Sequence, residues 1–319
     1  MNRPRLRHRT FALIGVLASA LSVAALLGAG ARATAPGSNG LIIYQATVGK
    51  HTQLFTVEPD GTAARQLTYF SSSDAVHAAW SPDGSKVAFE RDFPKRAGIY
   101  TMGLKGGDLK SLTPRGLQGL PAYSPDGSTI VFDRSLPHED ALWLMRSNGS
   151  GLRQLTHNRP AGKGECRCEG SPVFAPDGTR IAFVRTITEL KTAVVVVNSD
   201  GSGLKRITPW HLGVSAKLDW SPDGSKILIS SPQQERQDTA SNVFSIRPDG
   251  TGLTQLTHET KPGVHDLADG FSPDGAKIIF AKTVDDGPFQ VYVMNADGSA
   301  VRQLTHGVDA HWASWGTHA

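Results

Sequence analysis

The sequence lacks the short motifs that mark the commonest catalytic sites. It contains no Gly-x-Ser-x-Gly, no His-Glu-x-x-His, no glycine loop of the phosphate-binding type and no dinucleotide fingerprint. These absences exclude the standard forms of such sites. An active site assembled from single residues on separate structural elements stays open, so catalysis is a secondary hypothesis for this chain.

Basic charge is also missing once the N-terminus is set aside. The whole chain carries 33 basic and 29 acidic residues, but residues 1–33 hold five arginines and no acid. The remainder is therefore close to neutral, with one acidic residue in excess. A nucleic-acid-binding surface needs a clustered basic charge, and nucleic acid is accordingly not predicted as a partner.

Cysteine is scarce, with Cys166 and Cys168 as the two copies. They form a Cys-x-Cys in the longest predicted loop, and His157 lies upstream. In an exported protein this spacing favours a small-ring disulfide that stiffens the loop. Metal ligation by the pair is the alternative.

The N-terminus reads as an export signal. Four arginines within residues 3–9 precede an apolar run over residues 11–30, and Ala31-Arg32-Ala33 supplies a cleavage site. We therefore predict a signal peptide over residues 1–33, a linker over 34–40 and a folded domain over 41–319. The apolar run is long enough to span a bilayer, so an uncleaved membrane anchor is the alternative; the membrane is otherwise not a predicted partner.

The dominant feature is an internal repeat. The phrase WSPDGSKVAF, which begins at Trp80, returns with small changes from Tyr123, Phe174, Trp220 and Phe271. Ser-Pro-Asp-Gly is turn chemistry, because proline presets φ and glycine accepts the left-handed conformation. The apolar, β-branched residues that follow indicate a strand. Each phrase therefore predicts a β-hairpin.

A second phrase follows each hairpin and completes the unit. It consists of a strand, an Asp-Gly or similar turn and a short strand closing in Leu-Thr or Ile-Thr, and its six copies end at Thr68, Thr113, Thr156, Thr208, Thr257 and Thr305. The first copy has no Ser-Pro-Asp-Gly strand ahead of it, whereas DAHWASWG at the C-terminus places Trp315 where the repeat aromatics stand. The pattern predicts an all-β, six-bladed β-propeller of four-stranded antiparallel blades, with the first blade closed by the C-terminal strand.

These two phrases resemble the TolB-type, WD-like propeller repeat, and they are similar to the propellers of prolyl-oligopeptidase-type and tricorn-type peptidases. The resemblance extends from Leu41 to Trp315 and implies a propeller. TolB has an α/β domain between its signal and its propeller, and here the propeller begins almost directly after the predicted signal. The resemblance therefore implies the architecture of the propeller only.

The two faces of the predicted ring differ. Both tight turns of every blade lie on one face, which we call the tight-turn face. The loops between the second and third strands and the connections between blades lie on the other, the variable-loop face, and these differ in length and sequence. Variable loops on a rigid scaffold are where recognition is usually built. We predict that a partner binds on the variable-loop face, at the mouth of the central channel.

Polar residues precede the repeat aromatics of blades six, one and two, which are neighbours in a closed ring. The predicted binding residues at the channel mouth are His265, Asp266, Asp269, Asp309, His311, Asp74 and His77. Histidine and carboxylate side chains suit a divalent metal or acid–base chemistry, with His265, His311 and His77 as candidate ligands. A hydrated polar lining of the channel is the competing interpretation.

Two functions follow as hypotheses. The first is an exported, non-catalytic binding scaffold of the cell envelope or the extracellular space, which recognises a protein, a peptide or a glycan. The second is a metal-assisted lyase or hydrolase that acts on a polysaccharide or a lactone. A divalent metal is the cofactor that the second would need.

Overall fold

The computed structural model describes residues 36–318 except 114–115, 137–138, 158–167, 189–190, 215–216 and 233–239. Its strands are numbered β1–β24 along the chain, and each four-stranded sheet is one blade. Blade one contains β24 (Ala310–Thr317), β1 (Asn39–Val48), β2 (His51–Val57) and β3 (Arg65–Gln66); blade two β4 (Asp74–Trp80), β5 (Lys86–Phe93), β6 (Arg96–Gly103) and β7 (Lys110–Ser111); blade three β8 (Leu117–Tyr123), β9 (Thr129–Leu136), β10 (Glu139–Arg146) and β11 (Arg153–Gln154).

The other three blades follow the same order, from the innermost strand outward. Blade four contains β12 (Cys168–Phe174), β13 (Arg180–Thr188), β14 (Lys191–Asn198) and β15 (Lys205–Arg206); blade five β16 (Asp219–Trp220), β17 (Ile227–Ser231), β18 (Asn242–Ile246) and β19 (Thr254–Gln255); blade six β20 (His265–Phe271), β21 (Lys277–Thr283), β22 (Gln290–Asn295) and β23 (Arg302–Gln303). One 3₁₀ turn, Trp210–Leu212, links blades four and five. The predicted six-bladed propeller is confirmed.

The ring closes as the sequence predicts. Strand β24 pairs antiparallel with β1, and Trp315 lies opposite Ile42. The Trp315 side chain is buried, and its indole N–H donates to the Gly40 carbonyl at 3.0 Å. The C-terminal strand therefore supplies the innermost strand of the first blade.

The Ser-Pro-Asp-Gly turns are held by their own side chains. In blade two the Ser81 hydroxyl donates to Asp83 Oδ1 at 2.6 Å, and the same carboxylate oxygen accepts from the Ser85 backbone N–H at 3.0 Å. The Ser81 hydroxyl is the main cause of the lowered pKa of Asp83. Asn148 accepts from the Ser150 N–H in the same way, so the Asn-Gly-Ser segment is a turn.

The Leu-Thr ending of each second phrase is also structural. In all six blades the buried threonine hydroxyl accepts a hydrogen bond from a backbone N–H of the third strand, at 2.9–3.0 Å. An unpaired buried N–H costs about 1–3 kcal/mol. The repeated threonine is thus needed to complete the backbone hydrogen bonds of the blade.

Apolar packing joins each blade to its neighbours. The buried side chains form clusters that span adjacent blades: one covers blades three to five, and the others join blades one and six, one and two, five and six, and two and three. Glycine allows close approach between blades, since a Cβ on Gly250 (φ 94°) would lie 2.6 Å from the Ile207 carbonyl oxygen of the preceding blade. The core of the protein is therefore the set of interfaces between blades.

Removing residues 309–319 is expected to destabilise the whole ring. The deletion unpairs β1, exposes its edge and removes the buried Trp315. Truncating one buried tryptophan typically costs ~3–5 kcal/mol, and losing the strand should cost more. Thermal melting followed by circular dichroism measures the effect. Removal of residues 1–36 is the control and should leave the melting temperature unchanged; equal melting temperatures for both deletions would contradict the closure role of β24.

Candidate functional site

The inner strands share a bulge near the channel. In blades one to four, the residue three positions before the repeat aromatic has a left-handed backbone: Trp312 (φ 59°), His77 (φ 55°), Leu120 (φ 57°) and Ser171 (φ 54°). The strand register shifts at the same place. A bulge re-aims side chains and interrupts strand pairing. The inner strands therefore present one redirected residue per blade in this part of the ring.

His77, His311 and Trp312 form an aromatic group at the mouth. The His77 ring meets Trp312 edge-on with centroids 5.7 Å apart, and His311 lies 5.8 Å from Trp312. Phe289 is 5.7 Å from His311 on the other side. The structure thus brings together two of the three predicted histidines around a tryptophan that the sequence did not single out.

Gln45 connects these residues across blades one and two. Its side-chain oxygen accepts from the His77 backbone N–H at 2.9 Å, and its amide nitrogen lies 3.0 Å from His311 Nε2. His77 Nδ1 in turn lies 2.7 Å from Glu90 Oε2. Burial lowers the pKa of His311 to about 4, against the opposing effect of Asp309. His311 is therefore neutral at physiological pH.

The two predicted aspartates of this sector support loops. Asp74 Oδ1 accepts from the Thr52 backbone N–H at 2.7 Å and lies 3.2 Å from His51 Nδ1. Asp309 Oδ1 accepts from the Phe289 N–H at 2.8 Å and lies 3.7 Å from His311 Nδ1. Both carboxylates remain partly exposed beside the aromatic group.

The three predicted residues of blade six point to separate partners. His265 lies between Ser241 Oγ (3.2 Å from Nδ1) and Asp286 Oδ1 (3.7 Å from Nε2), and burial lowers its pKa. Asp266 Oδ1 lies 3.4 Å from Lys282 Nζ, and burial raises the pKa of Asp266 to about 6. These contacts are distinct from the group around Trp312.

Asp269 belongs to a buried ion pair that joins three blades. Its Oδ1 lies 3.3 Å from Lys217 Nζ of blade five, and Lys217 also donates to the Ala313 carbonyl of blade one. Burial raises the pKa of Asp269, and Lys217 opposes this effect. Because both side chains are buried, the pair fixes the relative positions of blades five, six and one.

The described residues contain no group of three or more His, Cys, Asp or Glu side chains arranged to hold a metal ion. The predicted ligands His265, His311 and His77 therefore stay a sequence-based prediction. Cys168 is disulfide-bonded. Its predicted partner Cys166 lies outside the described residues, so that pairing also stays a prediction.

The structure adds a wall of carboxylates between blades two and four. Glu90 and Asp133 follow the repeat phenylalanines of their strands, the same position that Gln45 holds in blade one. They approach each other at Gly119, where a Cβ would overlap Glu90 Oε2 and lie 3.4 Å from Asp133 Oδ1. Aligning the repeats at this position shows a polar residue after the aromatic in blades one to three, and that signal was available in the sequence.

Asp133 has a buried carboxyl oxygen, Oδ1, without a hydrogen-bond partner among the described residues. Burial raises the pKa of Asp133 well above its ordinary value, and Glu90 and Asp140 raise it further. An unpaired carboxylate in such a place is costly when ionised.

Replacing Asp133 with asparagine is expected to raise the melting temperature at about pH 7.5 and to change it little near pH 4. A carboxyl with a raised native pKa stabilises the fold at low pH and loses this contribution as the pH rises through that pKa. Asparagine has nearly the same shape as aspartate but does not titrate. Thermal melting across this range, with Asp285→Asn as the exposed control, measures the difference. A lower melting temperature for Asp133→Asn at the higher pH would contradict the account.

Six four-stranded blades around a channel, with a bulged inner wall, define a six-bladed β-propeller. The PD40 family, the TolB β-propeller domain, matches residues 170–317. The resemblance predicted from the repeats is thereby confirmed over these residues.

Known proteins similar to the chain share this fold. A TolB homologue of Chlorobium luteolum is 28% identical over 125 residues, which are 39% of this chain and 26% of the homologue. TolB from Acinetobacter baumannii superposes with a TM-score of 0.72 at 20% identity, over 87% of this chain and 67% of that chain. An oligogalacturonate lyase in complex with manganese gives a TM-score of 0.56 at 17% identity, over 86% and 75%.

The chain spans less than half of the length of the curated relatives it matches, between 24% and 47%. The structural likenesses are at low identity and establish the fold. Within the described residues, none of the helical structure is long and apolar enough to cross a membrane.

Proposed function

We propose that this propeller is an exported, non-catalytic scaffold of the cell envelope that binds a protein or peptide on its variable-loop face. Export is inferred from the predicted signal, and a periplasmic role is in keeping with the likeness to TolB. Glycan binding is the competing outcome of the tests below.

The observation that carries the proposal is a set of exposed apolar side chains on the variable-loop face. They lie on loops and strand ends of four consecutive blades, from six through one and two to three: Val284, Val308, Val48, Tyr69 and Leu117. Exposed apolar side chains on one face are typical of protein-binding surfaces. Tyr69, 74% exposed, is the largest of them.

The exposed apolar residues of the tight-turn face follow the repeat. They occupy one repeated position before the outermost strand: Leu109, Leu152, Leu204, Leu253 and Val301. A residue that recurs in five blades is part of the blade pattern. The non-repeating residues on the opposite face are therefore the better candidates for recognition of one particular partner.

Site-specific photo-cross-linking tests the proposal in intact cells. A benzophenone amino acid at Tyr69 or Val308 is expected to capture a discrete protein, because both positions are exposed on the variable-loop face. The same probe at Leu204 or Leu253 is the matched control and should capture none. Equal capture of protein from both faces, or from neither, would overturn the assignment. A glycan-dependent change in the mobility of this chain, without a protein adduct, would favour a glycan ligand.

The metal-assisted lyase or hydrolase remains the alternative. The lyase with a similar fold was solved with manganese, but the described residues of this chain offer no ligand group for a metal ion. Elemental analysis of the purified protein is expected to find no stoichiometric metal. A bound equivalent of metal that is lost in both His77→Ala and His311→Ala would reinstate the alternative.

A further inference from the structure

A small cavity lies between blades three and four, where their strands reach the variable-loop face. Strand β9 ends and strand β12 begins there, and the cavity is lined by Leu120, Asp133, Ser135, Asp140, Cys168, Glu169 and Gly170. Its volume is about 10 Å³, which is room for about one water molecule.

The carboxylates that line this cavity differ in the hydrogen-bond donors that they receive. Glu169 accepts from Arg185 Nε at 2.9 Å and from the Thr156 hydroxyl. Asp140 accepts from the Ser135 hydroxyl. Asp133 faces the same space, and its buried Oδ1 receives no donor. The cavity therefore holds one acceptor whose partner must come from outside the described structure.

The charges around the cavity indicate the sign of the charge that the missing partner carries. Asp133 is flanked by Glu90 and Asp140, while Arg185 is engaged by Glu169 and His77 by Glu90. Gln118, which precedes Gly119 in β8, is also buried and has an unpaired side-chain oxygen. Among the described residues around the cavity, acceptors exceed donors, so a group with donors only, and with positive charge, complements the wall.

The size of the cavity selects among such groups. A guanidinium is planar and carries five donors in a fixed fork, whereas an ammonium is compact and directs three donors from one atom. A space that holds about one water molecule fits the ammonium. A divalent ion would need several convergent ligands, and the described residues do not form such a group.

We propose that this cavity is a binding site for a primary ammonium group, that of a lysine side chain or of a chain N-terminus of the partner. The ammonium donates to Asp133 Oδ1 and is attracted by Asp140, while its alkyl stem leaves along Leu120 toward the variable-loop face. This inference rests on the proposed function, because it gives the chemistry of the group that a protein partner inserts beside the mouth.

Titration calorimetry with small amines tests the site directly on the whole folded chain. Nα-acetyl-lysine methylamide and glycine methylamide present the side-chain and the N-terminal ammonium, respectively. At least one is expected to bind, and Nε-acetyl-lysine methylamide, whose head group is neutral, is expected not to. Binding of the neutral analogue with equal affinity, or of neither ammonium, would overturn the proposal. Competition by potassium as strong as by the amines would identify an inorganic cation site and would overturn it too.

Variants of the cavity carboxylates test whether the amine binds in the cavity. Asp133→Asn is expected to weaken amine binding roughly tenfold or more, because it removes a buried partner of the charge, and Asp140→Asn provides a second variant in case the first does not fold. Asp285→Asn removes the same charge from an exposed pair with Lys261 and should leave the affinity unchanged. Unchanged affinity in both cavity variants would place the amine elsewhere.

The pH dependence gives an independent readout. Amine affinity is expected to fall as the pH is lowered, because protonation of Asp133 removes the charge that attracts the ligand. The groups that face Asp133 are Glu90, Asp140 and the Glu169–Arg185 pair, with His77 on Glu90. Amine titration does not depend on photo-cross-linking, so a failure of the amine site can be told apart from a failure of the proposed function.

Discussion

The pairing of β1 with β24 is the interaction on which the rest of the structure depends. Five blades are assembled from continuous chain, and the first is assembled from both ends of the domain. The seam uses contacts of its own: Trp80 donates its indole N–H to the Ser314 carbonyl, and Thr317 donates to the Pro82 carbonyl. Blade one has no Ser-Pro-Asp-Gly turn, so these side chains supply the contacts with blade two that repeated turns supply elsewhere.

The repeat explains why polar groups collect at a few places. Turn aspartates such as Asp83 accept backbone hydrogen bonds, as do the Leu-Thr threonines of all six blades. The positions beside the inner-strand bulges are occupied by different residues in different blades. There Gln45, Glu90, Asp133 and Ser230 occupy one equivalent position, and Gln45 and Ser230 accept from backbone N–H groups of the next blade.

The fold was predictable because its signals are local. A Ser-Pro-Asp-Gly turn needs only its own residues, and the displaced Trp315 aligned with the other aromatics without reference to contacts. The site was predictable only in part. His77 and His311 do meet, but Trp312, Glu90 and Asp133 were missed, since the bulge that turns Trp312 toward the histidines and the blade-to-blade meeting at Gly119 depend on packing. His265, adjacent in the ring by the same reasoning, engages Ser241 and Asp286 instead.

The propeller is symmetric in backbone and asymmetric in charge. On blades five, six and one, the buried Asp269 is matched by Lys217 and a carbonyl group. On blades two and three, Glu90 and Asp140 raise the pKa of the buried Asp133, and no cation of the described residues lowers it. Burying an unmatched carboxylate costs free energy that a neutral side chain of the same shape would not. Blade four has Val184 and blade six has Ala281 at the position of Asp133, so the fold does not require a carboxylate there, and the ammonium site proposed above gives this carboxylate a role that the packing of the blades does not.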